Sequence, residues 1–225
     1  MKKLLSKQNN FLLFCSLIWI SQNLSAQTIE KYYVNMPDGL NPTLSKQNRL
    51  ELLEYHKAGQ GDSITNRFGN KSFLLSMDTI NQLVVVKSTA SSTLEMKVLN
   101  LSDNTPSIGI IRTVCGPICQ SMVEFYDTAW LAIPIQFNMP KATDWLDDTN
   151  SIPENVDRQW VLNILENSFI SLSFQPASGM IIAKNNSLEF IGEVDRKLIE
   201  PLMKDKPLLF LLEGRKWVQL PQKKP

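Results

Sequence analysis

Residues 92–126 read STLEMKVLNLSDNTPSIGIIRTVCGPICQSMVEFY, and this stretch decides the fold class. Leu94, Met96 and Val98 alternate with Glu95, Lys97 and Leu99, the period of a strand with one face buried. Asp103-Asn104-Thr105-Pro106 is a turn sequence, and Ile108 to Val114 follows as a second strand. Cys115-Gly116-Pro117-Ile118-Cys119 makes a short loop, after which Met122 to Tyr126 forms a third strand. Short strands with tight links predict an antiparallel meander. A parallel sheet would need a helix between each pair of strands.

Outward from this core the pattern holds. On the N-terminal side, Ser72 to Ser76 and Leu83 to Lys87 are strand-like. Before them, Ser45 is placed as the N-cap of a helix carrying Leu50, Leu53 and Lys57, with Leu52 and Tyr55 widening its apolar face. Gly59 and Gly61 end it, and a shorter helix over Ile29 to Met36 stops at Pro37-Asp38-Gly39. On the C-terminal side, Trp130 to Ile133 is expected to continue the sheet after a bend. Residues 134–150, with Pro134, Pro140, Asp144, Asp147 and Asp148, read as a connection. Ser151-Ile152-Pro153-Glu154 matches a capping box ahead of Val156, Trp160, Val161, Ile164 and Leu165 on one helical face. Ile170, Leu172 and Phe174 form a strand that pairs with Met180 to Ala183. A short helix carries Val194, Leu198 and Leu202, and a hairpin joins Leu208–Leu212 to Lys216–Leu220.

The resulting expectation is one α+β domain over 27–225, with helices packed on a shared antiparallel meander sheet. Two similar halves, 27–133 and 151–225 joined by 134–150, would give the same element order. No residue-level self-similarity supports a duplication.

The first 26 residues have the three parts of an export signal. Lys2, Lys3 and Lys7 precede an apolar run from Phe11 to Ile20, and a polar stretch then leads to the small residue Ala26. The run is too short to span a bilayer, which takes about 20 apolar residues. Cys15 lies inside that run behind the bulky Phe14, a poor context for lipidation, and is discarded with the signal. Cleavage after Ala26 removes three of the 23 basic residues and none of the 22 acidic ones, leaving a net charge of −2. A near-neutral surface carries no electrostatic footprint for nucleic acid. With no later membrane-spanning run, the expected location is the periplasm or cell surface.

Cys115 and Cys119 are the two cysteines left after cleavage. Cys-Gly-Pro beside a second cysteine invites a thiol–disulfide reading. That chemistry requires two intervening residues and a helix N-terminus to lower the thiol pKa. Here three residues intervene, and the β-branched and aromatic segment Gln120 to Tyr126 is a strand sequence. A disulfide clipping a hairpin in an oxidising compartment fits better.

Other chemistry finds little to stand on. His56 is the only histidine, which leaves a His-based metal site or a Ser–His pair short of partners. Asp144, Asp147, Asp148 and Glu154 lack calcium-loop spacing, and acidic loops are ordinarily solvated. No Gly-rich phosphate loop or nucleophile elbow occurs. No cofactor or metal is called for, and no catalytic residue is named. Tyr126, Trp130 and Trp145 are candidates for a ligand groove, although core packing is the ordinary fate of aromatics.

Several stretches together resemble a family of secreted Bacteroidetes proteins of unknown function, domain of unknown function 3256. They are Val34-Asn35-Met36-Pro37-Asp38, Leu44-Ser45-Lys46-Gln47-Asn48-Arg49-Leu50, Ser92 to Lys97, Thr113 to Cys119 and Phe125 to Trp130. The Cys-Gly-Pro-x-Cys block is the most specific. The resemblance implies a Gram-negative exported protein and brings no activity with it. The reading that follows is a non-catalytic binding or structural protein of the envelope, with a protein, glycan or lipid as partner. The alternative is a periplasmic thiol–disulfide protein using Cys115 and Cys119.

Overall fold

The fold is that of a computed structural model, which describes residues 28–147, 152–154, 156–166 and 169–221. The proposed signal, Asp148 and Ser151 lie outside the described residues. Among the described residues, the strands divide between two antiparallel meanders in place of one shared sheet. The first holds β1 (Ser63–Thr65), β2 (Lys71–Asp78), β3 (Leu83–Thr89), β4 (Ser92–Asn100), β5 (Pro106–Cys115) and β6 (Cys119–Tyr126), in sequence order. The second holds β7 (Ile170–Phe174), β8 (Ile181–Asn185), β9 (Leu208–Glu213) and β10 (Lys216–Gln219), again in order.

One face of the six-stranded sheet is covered by α1 (Ile29–Asn35) and α2 (Lys46–Lys57). Ser45 starts α2 as a capping box, its hydroxyl accepting from the Asn48 amide while the Asn48 side chain accepts from the Ser45 amide. Ile29, Tyr33, Leu44 and Leu52 pack on Val84, Val86, Met96, Ile108 and Ile110. Arg49 is buried among them. Its guanidinium donates to the carbonyls of Leu44, Val34 and Met36 and pairs with Asp38 at 3.2 Å. The carbonyls at the C-terminal end of α1, which a helix leaves without partners, are thereby satisfied by a side chain from α2.

The opposite face meets the second sheet. β4 is therefore buried on both sides, and the expectation that Glu95, Lys97 and Leu99 face solvent does not hold. Lys97 and Leu99 are only 4% and 5% exposed. The outer edge of β7 runs against this face, and two of its amides find side-chain acceptors there. Leu172 donates to Ser121 Oγ at 2.9 Å and Phe174 to Glu95 Oε2 at 2.8 Å. An edge strand whose amides are used this way offers no template for another chain. Burial raises the Glu95 carboxyl pKa, and the Phe174 N–H opposes the shift. Lys97 Nζ donates to the carbonyls of Asn81 and Pro176, binding the β2–β3 turn to the β7–β8 turn. Burial lowers its pKa, against the pull of Asp78.

Gly109 of β5 lies directly beneath the Phe174 ring of β7. A Cβ there would lie 2.7 Å from Phe174 Cζ and 3.0 Å from Leu99 Cδ1. Phe125 stacks on Trp217 of β10 at 5.9 Å between centroids, so the last strand is held by the same core.

Two other elements differ from expectation. Trp130 to Ile133 forms no strand, only a bridge between Tyr126 and Ala132. Asp127 Oδ1 accepts from the Ala129 and Leu131 amides, and the resulting loop holds Trp130 at φ 69°, outside strand geometry. The helix after the connection, α3 (Arg158–Glu166), starts later than the Ser151–Glu154 box would place it. Asp157 takes the capping role, its carboxylate accepting from the Gln159 amide at 2.8 Å. A fourth helix, α4 (Glu193–Ile199), follows β8.

Candidate functional site

Three features single out a groove beside the disulfide. It lies between α3, the segment linking β8 to α4, and the start of β6. Trp160 and Ile164 stand one turn apart on α3 and face the same way. Phe169 precedes β7, while Phe190 and Ile191 follow a 3-10 turn over Ser187–Glu189. The Phe169 and Phe190 rings meet at 5.8 Å with a 53° tilt. Together these side chains line a cavity of about 630 Å³, within the roughly 300–1,000 Å³ typical of small-ligand sites. Phe190 is 69% exposed, which hydrophobic burial does not explain.

The polar lining consists of Gln120, Asn163, Glu166 and Ser187. Glu166 Oε2 accepts from the Ala142 amide at 3.3 Å, which anchors the carboxylate on the rim. The Ser187 hydroxyl is buried and, among the described residues, has no hydrogen-bond partner. A buried hydroxyl left unpaired costs free energy that a bound molecule could recover.

Asn186 positions this wall. Its amide N–H donates to the Phe169 carbonyl at 2.8 Å, and its Nδ2 donates to the Cys119 carbonyl at 3.0 Å. One buried asparagine thus ties the groove to the tip of the β5–β6 hairpin. The tip is closed by the Cys115–Cys119 disulfide, with the two residues directly paired across the strands. Cys119 opens β6, so no helix N-terminus stands beside either sulfur.

The aromatics singled out from sequence fall in two places. Tyr126 and Trp130 meet at 6.1 Å on the helix-covered side of the first sheet. Trp145 is buried in the core between the sheets. His56 pairs with Asp62 at 2.6 Å on the surface. Asp144 caps a 3-10 turn through the Lys141 amide, and Glu154 is exposed in a turn. Among the described residues, no three His, Cys, Asp or Glu side chains gather as metal ligands. No sequence motif marks Phe169, Ser187 or Phe190, and helical periodicity assigns Trp160 to the core. Their one signal is Phe190, a large apolar residue in a turn-rich stretch, Asn185-Asn186-Ser187-Leu188-Glu189-Phe190.

A larger cavity of about 710 Å³ borders Tyr32, Gln82, Lys97 and Gly179. Its one buried charge, Lys97, is already committed to two carbonyls, so this space reads as a seam between elements. No helix among the described residues is long and apolar enough to cross a membrane.

The family described as "Protein of unknown function (DUF3256)" matches residues 21–217. A solved domain of an uncharacterized protein from Porphyromonas gingivalis W83 shares the fold, with a TM-score of 0.72 at 18% identity. The match covers 85% of this chain and 98% of that one. No curated protein matches the chain.

Proposed function

The chain belongs to the DUF3256 family, and from that premise we propose that it is an exported, non-catalytic binding protein of the bacterial envelope whose ligand site is the Trp160–Phe190 groove. The observation that carries this reading is the pairing of exposed aromatic surface with a buried, unpartnered Ser187 hydroxyl in one concavity. Export is supported by the charged and apolar pattern of residues 1–26 and by the Cys115–Cys119 bond, since disulfides persist in oxidising compartments. The periplasm and the cell surface both satisfy this. A thiol–disulfide role draws no support from the geometry, because a strand follows Cys119 where that chemistry uses a helix.

The neutral fluorophore N-phenyl-1-naphthylamine tests the site without regard to ligand chemistry. It should bind saturably, and about tenfold more weakly to Trp160→Ala/Phe190→Ala, which removes much of the apolar wall. Binding should survive in Cys115→Ser/Cys119→Ser. Equal binding to the aromatic double variant, or none to the unsubstituted protein, overturns the proposal.

A further inference from the structure

We infer that the groove takes a neutral sugar ring, so that the protein is a glycan-binding module; this rests on the groove being the ligand site. The argument proceeds from what each class of ligand would leave unsatisfied. An anion such as a phosphate would find no Lys or Arg among the described lining residues, and one carboxylate, Glu166, to repel it. An acyl chain would suit Trp160, Ile164, Phe169 and Phe190. It would also leave the already buried Ser187 hydroxyl unpaired and strip water from the Gln120 amide and the Glu166 carboxylate with nothing to bond to. A quaternary ammonium would be drawn to the aromatic faces and to Glu166. Its trimethylated head, having neither donor nor acceptor, would also leave Ser187 Oγ unpaired.

A pyranose meets all of these demands at once. Its axial C–H groups present an apolar patch to the electron-rich faces of aromatic rings, while its equatorial hydroxyls point outward around the rim. Those hydroxyls both donate and accept, as do the Gln120 and Asn163 amides and the Ser187 hydroxyl. The Glu166 carboxylate accepts, and its position is already fixed by the Ala142 amide. Phe190, at 69% exposure, stands at the rim where a chain of sugars would run on past the groove. Planar amides, one carboxylate and rings on one concave surface form a donor set without fixed positive charge. This complements a polyol and does not complement the charged or wholly apolar alternatives.

The test uses the protein labelled with 5-fluorotryptophan and follows the fluorine resonance of Trp160, assigned by its loss in Trp160→Phe. Separate titrations use N,N′-diacetylchitobiose, cellobiose and mannobiose as neutral saccharides, with dodecanoate and choline as the competing chemistries. Saturable movement of the Trp160 resonance by a saccharide supports the inference. Ser187→Ala and Gln120→Ala should then each weaken that saccharide by about tenfold, the loss of one buried hydrogen bond to a ligand. Movement by dodecanoate or choline alone, or by none of the five, overturns it. N-phenyl-1-naphthylamine separates the two levels of failure. If the fluorophore still binds at the aromatic wall and no saccharide does, the groove stands and the ligand class falls; if neither binds, both fall.

Discussion

The joint beneath α2 and the groove beside α3 both bury polar atoms, yet they treat them differently. At the joint, the Arg49 guanidinium is fully enclosed and answers the carbonyls of Val34, Met36 and Leu44 together with Asp38. Between the sheets, Glu95 and Lys97 likewise end on an amide and two carbonyls. In the groove, Ser187 has no such answer among the described residues, and the aromatic beside it, Phe190, stands in solvent. Buried charges whose partners all come from within this chain hold the fold together. Arg49 Nε and the Tyr33 hydroxyl at the joint also lack partners among the described residues, but they are sealed in the core, whereas Ser187 lines an open groove that another molecule can enter.

The comparison breaks first at Arg49. Replacing it by methionine keeps the volume but strips three carbonyls of their side-chain donor and leaves Asp38 with the Lys46 amide, and removing one member of such a buried set costs about 3–5 kcal/mol. Denaturant unfolding of Arg49→Met should show a loss of that size. A loss no larger than that of an ordinary surface substitution would mean that the guanidinium is not what joins α1 to α2.

Gly109 tests the contact between the sheets. Gly109→Ala would place a methyl 2.7 Å from the Phe174 ring, and overpacking of this kind costs about 1–3 kcal/mol. The same change combined with Phe174→Leu should recover part of that loss. Failure of the pair to compensate would locate the strain elsewhere.

The hairpin clip comes next. Closing so short a loop adds about 2 kcal/mol in the chain-entropy account, so Cys115→Ser/Cys119→Ser should lower stability by that amount and leave a cooperative fold. Complete failure to fold would give the bond a larger role than a clip on a tip that β5–β6 pairing and the Asn186 bond already hold.

These outcomes bear on what could be read from the chain. The meander through 92–126 was legible because period-two alternation and the turn at 103–106 are local signals. The Ser45 cap was legible for the same reason. The second face of β4 was not. Glu95 and Lys97 look like solvent residues until Phe174 and Pro176, each 79 positions away, are folded onto them. The stretches that carry the family resemblance become intelligible in this light. Val34 to Asp38 and Leu44 to Leu50 are the two sides of the Arg49 joint, and Ser92 to Lys97 contains both charges that hold the sheets together. The groove was illegible because its lining is drawn from β6, α3, the approach to β7 and the β8–α4 link. Trp160, moreover, sits on a helix face that hydrophobic periodicity assigns wholly to the core.

The smallest effect on stability is the most informative about the groove. Phe190 is 69% exposed, and among the described residues its one ring neighbour is Phe169. Folding therefore gains little from it, and Phe190→Ser should change unfolding free energy by no more than about 0.5 kcal/mol, as for substitutions away from packed or paired sites. The same change in Phe174, which is buried at 4% over Gly109, should cost about 3–5 kcal/mol by opening a cavity between the sheets. Equal losses from the two would mean that Phe190 is a core residue displaced to the surface. A negligible loss at Phe190, together with weakened N-phenyl-1-naphthylamine binding, would mean that the ring is kept for contact with something outside the chain.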